Sequence, residues 1–169
     1  RTSLLFWGYI NNRLNYDYLL RLADALPSIN PQFSIDLIGP VDEKVDRRFY
    51  DLIRKPNVTL SEPCDLASLK FEKTLAAIIP YVTKSSTDAI TLSNKALRLL
   101  ANGLPLLITG MPNFLEAPFV LKAGMTIEED LELIASLPKI FKSVQPSIRD
   151  FVNNNTEQER YEQLRSYFN

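Results

Sequence analysis

The run Leu75 to Val82 (LAAIIPYV) is apolar throughout, and it constrains the fold more than any other stretch. A strand without a polar face has to be covered on both sides, as at the centre of a parallel sheet. The rest of the chain supplies its neighbours. Ser3 to Gly8 (SLLFWG) reads as a strand closing on glycine. Tyr16 to Leu26 (YDYLLRLADAL) follows with apolar residues at helical spacing, and Pro27 is expected to end that helix. Phe33 to Ile38 (FSIDLI) alternates like a strand and closes on Gly39-Pro40, and Val45 to Ile53 again has helical spacing. Val58 to Leu60 reads as a short strand and Asp65 to Lys73 as a short helix with Asp65 as N-cap. Beyond the apolar run, Thr83 to Leu92 (TKSSTDAITL) reads as a polar loop, Asn94 to Asn102 as a helix and Leu104 to Thr109 as a buried strand. Phe119 to Ala123 is a candidate for one more strand. Glu128 to Leu137 (EEDLELIASL) places acids in the first turn of a helix, where the dipole favours them, and Gln158 to Phe168 reads as a closing amphipathic helix.

About six strands alternating with helices indicate one α/β domain over residues 1–169: a Rossmann-like, doubly wound parallel sheet in three α/β/α layers. In such sheets ligands bind beyond the carboxyl ends of the strands. The loops after Gly8, Gly39, Val82 and Thr109 therefore line the expected crevice.

Composition removes several classes of chemistry. Lysine plus arginine number 19 and aspartate plus glutamate 20, so the chain lacks the basic excess of a nucleic-acid binder and any anion site must be local. There is no histidine, which excludes Ser-His-Asp and Cys-His catalysis and the commonest metal ligand. The single cysteine, Cys64, excludes an internal disulfide and fits a reducing compartment, the cytoplasm by default; its thiol reads as buried or incidental. Glu128-Glu129-Asp130 are explained as helix-start acids, and Glu157, Glu159 and Glu162 as a solvated helix face, so no metal site is expected. The chain begins at Arg1, directly before a strand, and reads as an excerpt from a longer protein.

The candidate site residues cluster after two strands. In Ser93 to Pro105, Leu97, Leu100, Ala101 and Leu104 share one helical face, and Lys95, Arg98 and Asn102 share another. A helix start offers free amides and partial positive charge, so Ser93, Asn94 and Lys95 are placed to hold a phosphate. The alternative is that Ser93 or Asn94 merely caps the helix and the cations are solvated; cations at a helix start nevertheless oppose the dipole, which favours a ligand that needs them. Gly8 follows the first strand, where a glycine permits close backbone approach to a phosphate or simply makes a turn. Arg13, five residues on in the sequence, is either a phosphate ligand or a surface cation. Asp88, in the polar loop, is a weaker candidate for binding sugar hydroxyls.

Taken together, the segments resemble the C-terminal, donor-nucleotide-binding domain of GT-B-fold retaining glycosyltransferases, the glycosyl transferases group 1 type. LLFWGYINNRLNYDYLLRLADALP fits that family's strand, glycine, loop and helix; DLIGP, PNVTL and AAIIPYV fit its following strands. SNKALRLLANGLPLL echoes its Pro-x-Lys-x-x-Glu-Tyr-Leu-Ala-x-Gly-x-Pro-Val-Val signature, with Lys95, Leu100, Ala101, Gly103 and Pro105 in matching positions. NNNTEQERYEQLRSYF is similar to its closing Asn-x-x-Trp-x-x-Arg helix, with Glu157 in place of tryptophan. The chain departs from the pattern at Ser93 (proline), at Ile90 (a second glutamate in some members) and at Arg98, which stands where the family keeps a ribose-binding glutamate. Arginine cannot accept a hydrogen bond, so nucleotide binding is rearranged, supplied by another acceptor, or lost.

The resemblance implies a nucleoside diphosphate sugar as substrate, no cofactor and no metal, with Gly8, Arg13, Ser93, Asn94, Lys95 and Arg98 as its nucleotide-sugar-binding set. It also implies an N-terminal Rossmann-like domain, absent from these residues, that carries the acceptor site for a saccharide or lipid-linked saccharide. This domain alone is then expected to be inactive. No nucleic acid is implied, and the location is cytoplasmic, with peripheral association of the full-length protein at the inner face of the membrane as an option, in bacterial polysaccharide biosynthesis. The alternatives are a degenerate, non-catalytic glycosyltransferase-like domain used for binding or assembly, and a GT-B-like sugar-nucleotide epimerase.

Overall fold

The computed structural model describes residues 1–156 and residue 158. Six parallel strands form one sheet: β1 (Ser3–Trp7), β2 (Ser34–Ile38), β3 (Val58–Ser61), β4 (Thr74–Pro80), β5 (Leu106–Thr109) and β6 (Val120–Lys122). Their order in space is β3-β2-β1-β4-β5-β6, with parallel registers throughout. The direction of winding thus reverses between β1 and β4, the place where doubly wound sheets open a crevice. β4 is buried at every position, as the apolar run that follows Thr74 requires.

Alternate residues of the central strands feed two separate cores. Leu4 and Phe6 of β1 pack with α1 (Tyr16–Ile29), α2 (Arg48–Leu52) and α5 (Ile127–Ser143). Leu5 of β1, with Ala77 and Ile79 of β4, packs against α4 (Asn94–Ala101) and α6 (Gln145–Asn153). A short α3 (Ser85–Asp88) lies between β4 and α4. The period-2 alternation of each strand therefore builds the three layers.

Four expectations are corrected. Helix α1 does not stop at Pro27 but runs to Ile29. Proline cannot donate to the carbonyl four residues back, here that of Ala23, and the amide of Asn57 takes over that acceptor at 2.8 Å. The helix expected over Asp65 to Lys73 contracts to a 3-10 turn at Leu66–Ser68, since Asp65 makes no capping bond and its carboxylate is engaged by Arg98. The Thr83 to Leu92 loop contains the turn of α3, held by Thr87, whose hydroxyl accepts from the Lys84 amide at 2.9 Å. Helix α5 continues past Leu137 through Pro138, and α6 was not anticipated, although Gln145-Pro146 and Ile148 carry a helix-start and apolar signal. The closing helix expected over Gln158 to Phe168, with Glu157, Glu159 and Glu162, lies outside the described residues, Gln158 itself excepted. Among the described residues no helix is long and apolar enough to cross a membrane.

Candidate functional site

The switch point between β1 and β4 is closed by backbone. Gly8 ends β1 with φ +139°, and Gly39 ends β2 with φ +147°. A Cβ on Gly39 would lie 2.0 Å from the Gly8 carbonyl oxygen, so only glycine lets the two strand ends meet there. On its other side Gly8 faces the side chain of Lys95: a Cβ at Gly8 would lie 2.5 Å from Nζ and 2.6 Å from Cε. The absent side chain is the space into which the lysine extends.

Lys95 enters that space from the first turn of α4. Its Nζ donates to the Tyr81 hydroxyl at 3.2 Å and lies 4.3 Å from the centroid of the Phe6 ring. Burial, with a smaller contribution from the positive charge of Arg13, lowers its pKa from 10.5 to about 8. Among the described residues no carboxylate pairs with it. Most of the amine's charge is thus present at neutral pH, desolvated and without a counter-ion. Tyr81 is held up by the same burial, so its hydroxyl stays neutral beside the lysine.

The start of α4 completes the environment. Ser93 is the N-cap, its hydroxyl accepting from the Ala96 amide at 3.2 Å, so the capping role weighed from sequence is realised. Among the described residues the first-turn amides of Asn94 and Lys95 have no acceptor. Arg13 is exposed, and its backbone carbonyl accepts from Val82 at 2.9 Å, which ties the loop after β1 to the end of β4. Gly8 and Lys95 therefore meet at the switch point beside the first turn of α4, and Arg13 lies on the adjoining loop after β1.

Neither a protein-family model nor the sequence of a curated protein matches the chain. Solved structures do match its fold. Pneumococcal O-GlcNAc transferase GtfA, in complex with UDP and GlcNAc, aligns over 98% of this chain and 35% of its own at 11% identity and TM-score 0.63. WaaG, a glycosyltransferase involved in lipopolysaccharide biosynthesis, aligns over 93% of this chain and 44% of its own at 15% identity and TM-score 0.66. A Staphylococcus (S. aureus) TarM complex with fondaparinux, α-GlcNAc-glycerol and UDP aligns over 98% of this chain and 35% of its own at 12% identity and TM-score 0.69. The fold matches that of a GT-B glycosyltransferase domain. The chain spans between about a third and under a half of the length of these three proteins.

Within this fold the remaining candidates separate. Arg98 does not share the Lys95 crevice contacts: its guanidinium stacks 4.7 Å from the Trp7 ring and pairs with Asp65 at 3.3 Å. The Trp7 indole N–H in turn donates to the Cys64 carbonyl at 3.0 Å, while the Cys64 thiol is exposed, which favours the incidental reading. Asp88 lies at the end of α3, with one carboxylate oxygen shielded from solvent and unpartnered. Asp130 points inward and accepts from the Gly124 amide at 2.9 Å through both oxygens. Tyr81 and Phe6 were missed from sequence; Tyr81 was detectable as the polar-tipped residue directly after the buried strand, whereas Phe6 looks like ordinary core.

Proposed function

We propose that this chain is the nucleotide-sugar donor-binding domain of a glycosyltransferase, which moves a sugar from a nucleoside diphosphate to a saccharide or lipid-linked acceptor. The observation that carries the reading is the half-buried ammonium of Lys95, which faces Gly8 at the switch point with no carboxylate beside it among the described residues. A buried cation without a protein counter-ion is costly, and an anionic ligand removes the cost. The fold's likeness to transferases solved with UDP supports the choice of a diphosphate.

In this reading the diphosphate sits on the Asn94 and Lys95 amides, with the Lys95 ammonium and Arg13 alongside. As the sugar–phosphate bond breaks, negative charge grows on the departing diphosphate, and the helix start and two cations stabilise it without reorganising. Only groups aimed at charge that develops in the transition state accelerate the step. The acceptor site belongs to a further domain, and the domain by itself binds donor without turning over. The setting we propose is bacterial polysaccharide synthesis at the cytoplasmic side of the membrane.

One observation favours a second reading, a non-catalytic glycosyltransferase-like domain: Arg98 stands where the resemblance leads one to expect a ribose-binding carboxylate, and it is engaged with Trp7 and Asp65. Titration with UDP-, GDP- and dTDP-sugars separates the two. Saturable binding of one of them supports the donor site, and a folded chain that binds none leaves only the second reading.

A further inference from the structure

A second cluster of cations surrounds a cavity of about 400 Å³ beyond the carboxyl ends of β1, β2 and β4. Arg13 follows β1, Lys44 follows β2, and Lys84 follows β4, with the Ser86 hydroxyl beside them. All three cations are exposed, and none takes part in an ion pair among the described residues. The only carboxylate lining the cavity is Asp42, whose two oxygens are already occupied: one accepts from the Tyr9 hydroxyl and the other from the Lys44 amide, each at 2.8 Å. Three positive charges thus face one negative charge, that of Asp42, which attracts Lys44.

The loops that carry these cations are fixed to each other. The Asn12 amide donates to the Lys44 carbonyl at 2.9 Å, and its oxygen accepts from the Asp46 amide at 2.7 Å. The Val82 amide donates to the Arg13 carbonyl at 2.9 Å, and the Asn15 amide to the Pro80 carbonyl at 2.7 Å. The chain therefore holds like charges together through backbone that tolerates no easy separation. Three cations against one carboxylate leave a local excess of positive charge, which an anion between them neutralises.

We propose that this cavity is a second anion subsite, distinct from the diphosphate position at Lys95, which recognises a phosphate ester carried by a saccharide. The planar fork of Arg13 supplies two parallel donors and Lys44 and Lys84 supply point charges, a set that suits a dianionic phosphate better than a carboxylate. Arg13 lines this cavity, and its positive charge also contributes to the lowered pKa of Lys95. That the saccharide is the acceptor rests on the donor-site reading; the phosphate recognition itself does not.

The test is chemical-shift mapping on the 15N-labelled chain with glucose 6-phosphate, using glucose and sodium chloride at matched ionic strength as controls. Glucose 6-phosphate is expected to shift the amides of Asn12, Arg13, Lys44 and Ser86, and the controls are not. The double substitution Lys44→Gln with Lys84→Gln is expected to weaken that binding by about fivefold or more, while UDP still shifts Gly8 and Asn94. Absence of the glucose 6-phosphate shifts, equal shifts with glucose or salt, or unchanged affinity in the double variant overturns the subsite. Glucose 6-phosphate binding at these loops without any UDP response at Gly8 supports the subsite and removes the donor reading instead.

Discussion

The Lys95 ammonium lies 4.3 Å from the centre of the Phe6 ring and 3.2 Å from the Tyr81 hydroxyl, inside the notch left by Gly8. Two weak partners replace the water that the charge has lost. A cation over an aromatic ring recovers about 0.5–2 kcal/mol, which offsets only part of the cost of withdrawing an ammonium from water. Under the proposed function a diphosphate offsets that cost.

Replacing Lys95 separates a binding role from a structural one. Lys95→Met keeps the volume and removes the charge, and we expect the apo chain to gain about 1–2 kcal/mol, read as a higher urea midpoint. Affinity for UDP should fall about tenfold or more in the same variant. A variant that is less stable and binds UDP as the parent does would make Lys95 a packing residue.

The pH dependence follows from the lowered pKa. Lys95 takes up its proton near 10.5 when unfolded and near 8 when folded, so between those values the unfolded state binds more protons and stability rises with pH. The cost of the buried charge is fully present below about pH 8 and is relieved as pH rises towards 10.5. Donor binding has the opposite trend: above pH 8 it must re-protonate the amine, and UDP affinity should fall by up to about tenfold per pH unit. Calorimetry in buffers of different ionisation enthalpy reads this as proton uptake on binding at pH 9, absent at pH 6.5.

Gly8→Ala should strike the same feature from the other side. The new methyl would lie 2.5 Å from Nζ at a φ of +139°, so the flexible end of Lys95 must leave its place. We expect a stability loss of about 1–2 kcal/mol together with weaker UDP binding, whereas Gly103→Ala, whose nearest neighbour is Gln145, should lose stability with little change in affinity. Thermal melts with and without UDP distinguish the two.

Arg98→Ala tests whether that cation belongs to the diphosphate position. Its pair with Asp65 is more than half exposed on both sides, so the substitution should cost under about 1 kcal/mol. Inorganic pyrophosphate affinity should be unchanged, because the guanidinium is committed to Trp7. Trp7 is the chain's single tryptophan, and loss of the covering guanidinium should alter its fluorescence.

The bond from Asn57 to the Ala23 carbonyl predicts a measurable coupling with Pro27. Asn57→Ala strands a carbonyl and should cost about 1–3 kcal/mol. In a Pro27→Ala background the residue at position 27 can donate to that carbonyl itself, so the same substitution should cost clearly less. Additive effects in the double-mutant cycle would contradict the substitution of one donor for the other.

Much of this was legible in the sequence because it is local or periodic. LAAIIPYV had to be a central strand, the alternation of elements set the order of layers, and the resemblance singled out Lys95. What escaped is long-range. Pro27 stops a helix only when the carbonyl it orphans finds no other donor, and Asn57, in the turn before β3, is 34 residues from Ala23. Asp65 looks like an N-cap until Arg98, from a different helix, takes its carboxylate. Phe6 is indistinguishable from core until Lys95 is seen above its ring. The cation cluster of Arg13, Lys44 and Lys84 exists only through topology, since three separate loops bring it together.

Under the proposed function a nucleoside diphosphate binds where Lys95 meets Gly8. Titrating the 15N-labelled chain with UDP and GDP tests it directly. Saturable shifts centred on Gly8, Asn94 and Lys95, lost in Lys95→Met, are the expected result. A folded chain whose amides do not move at millimolar nucleotide, or move only elsewhere, would contradict it.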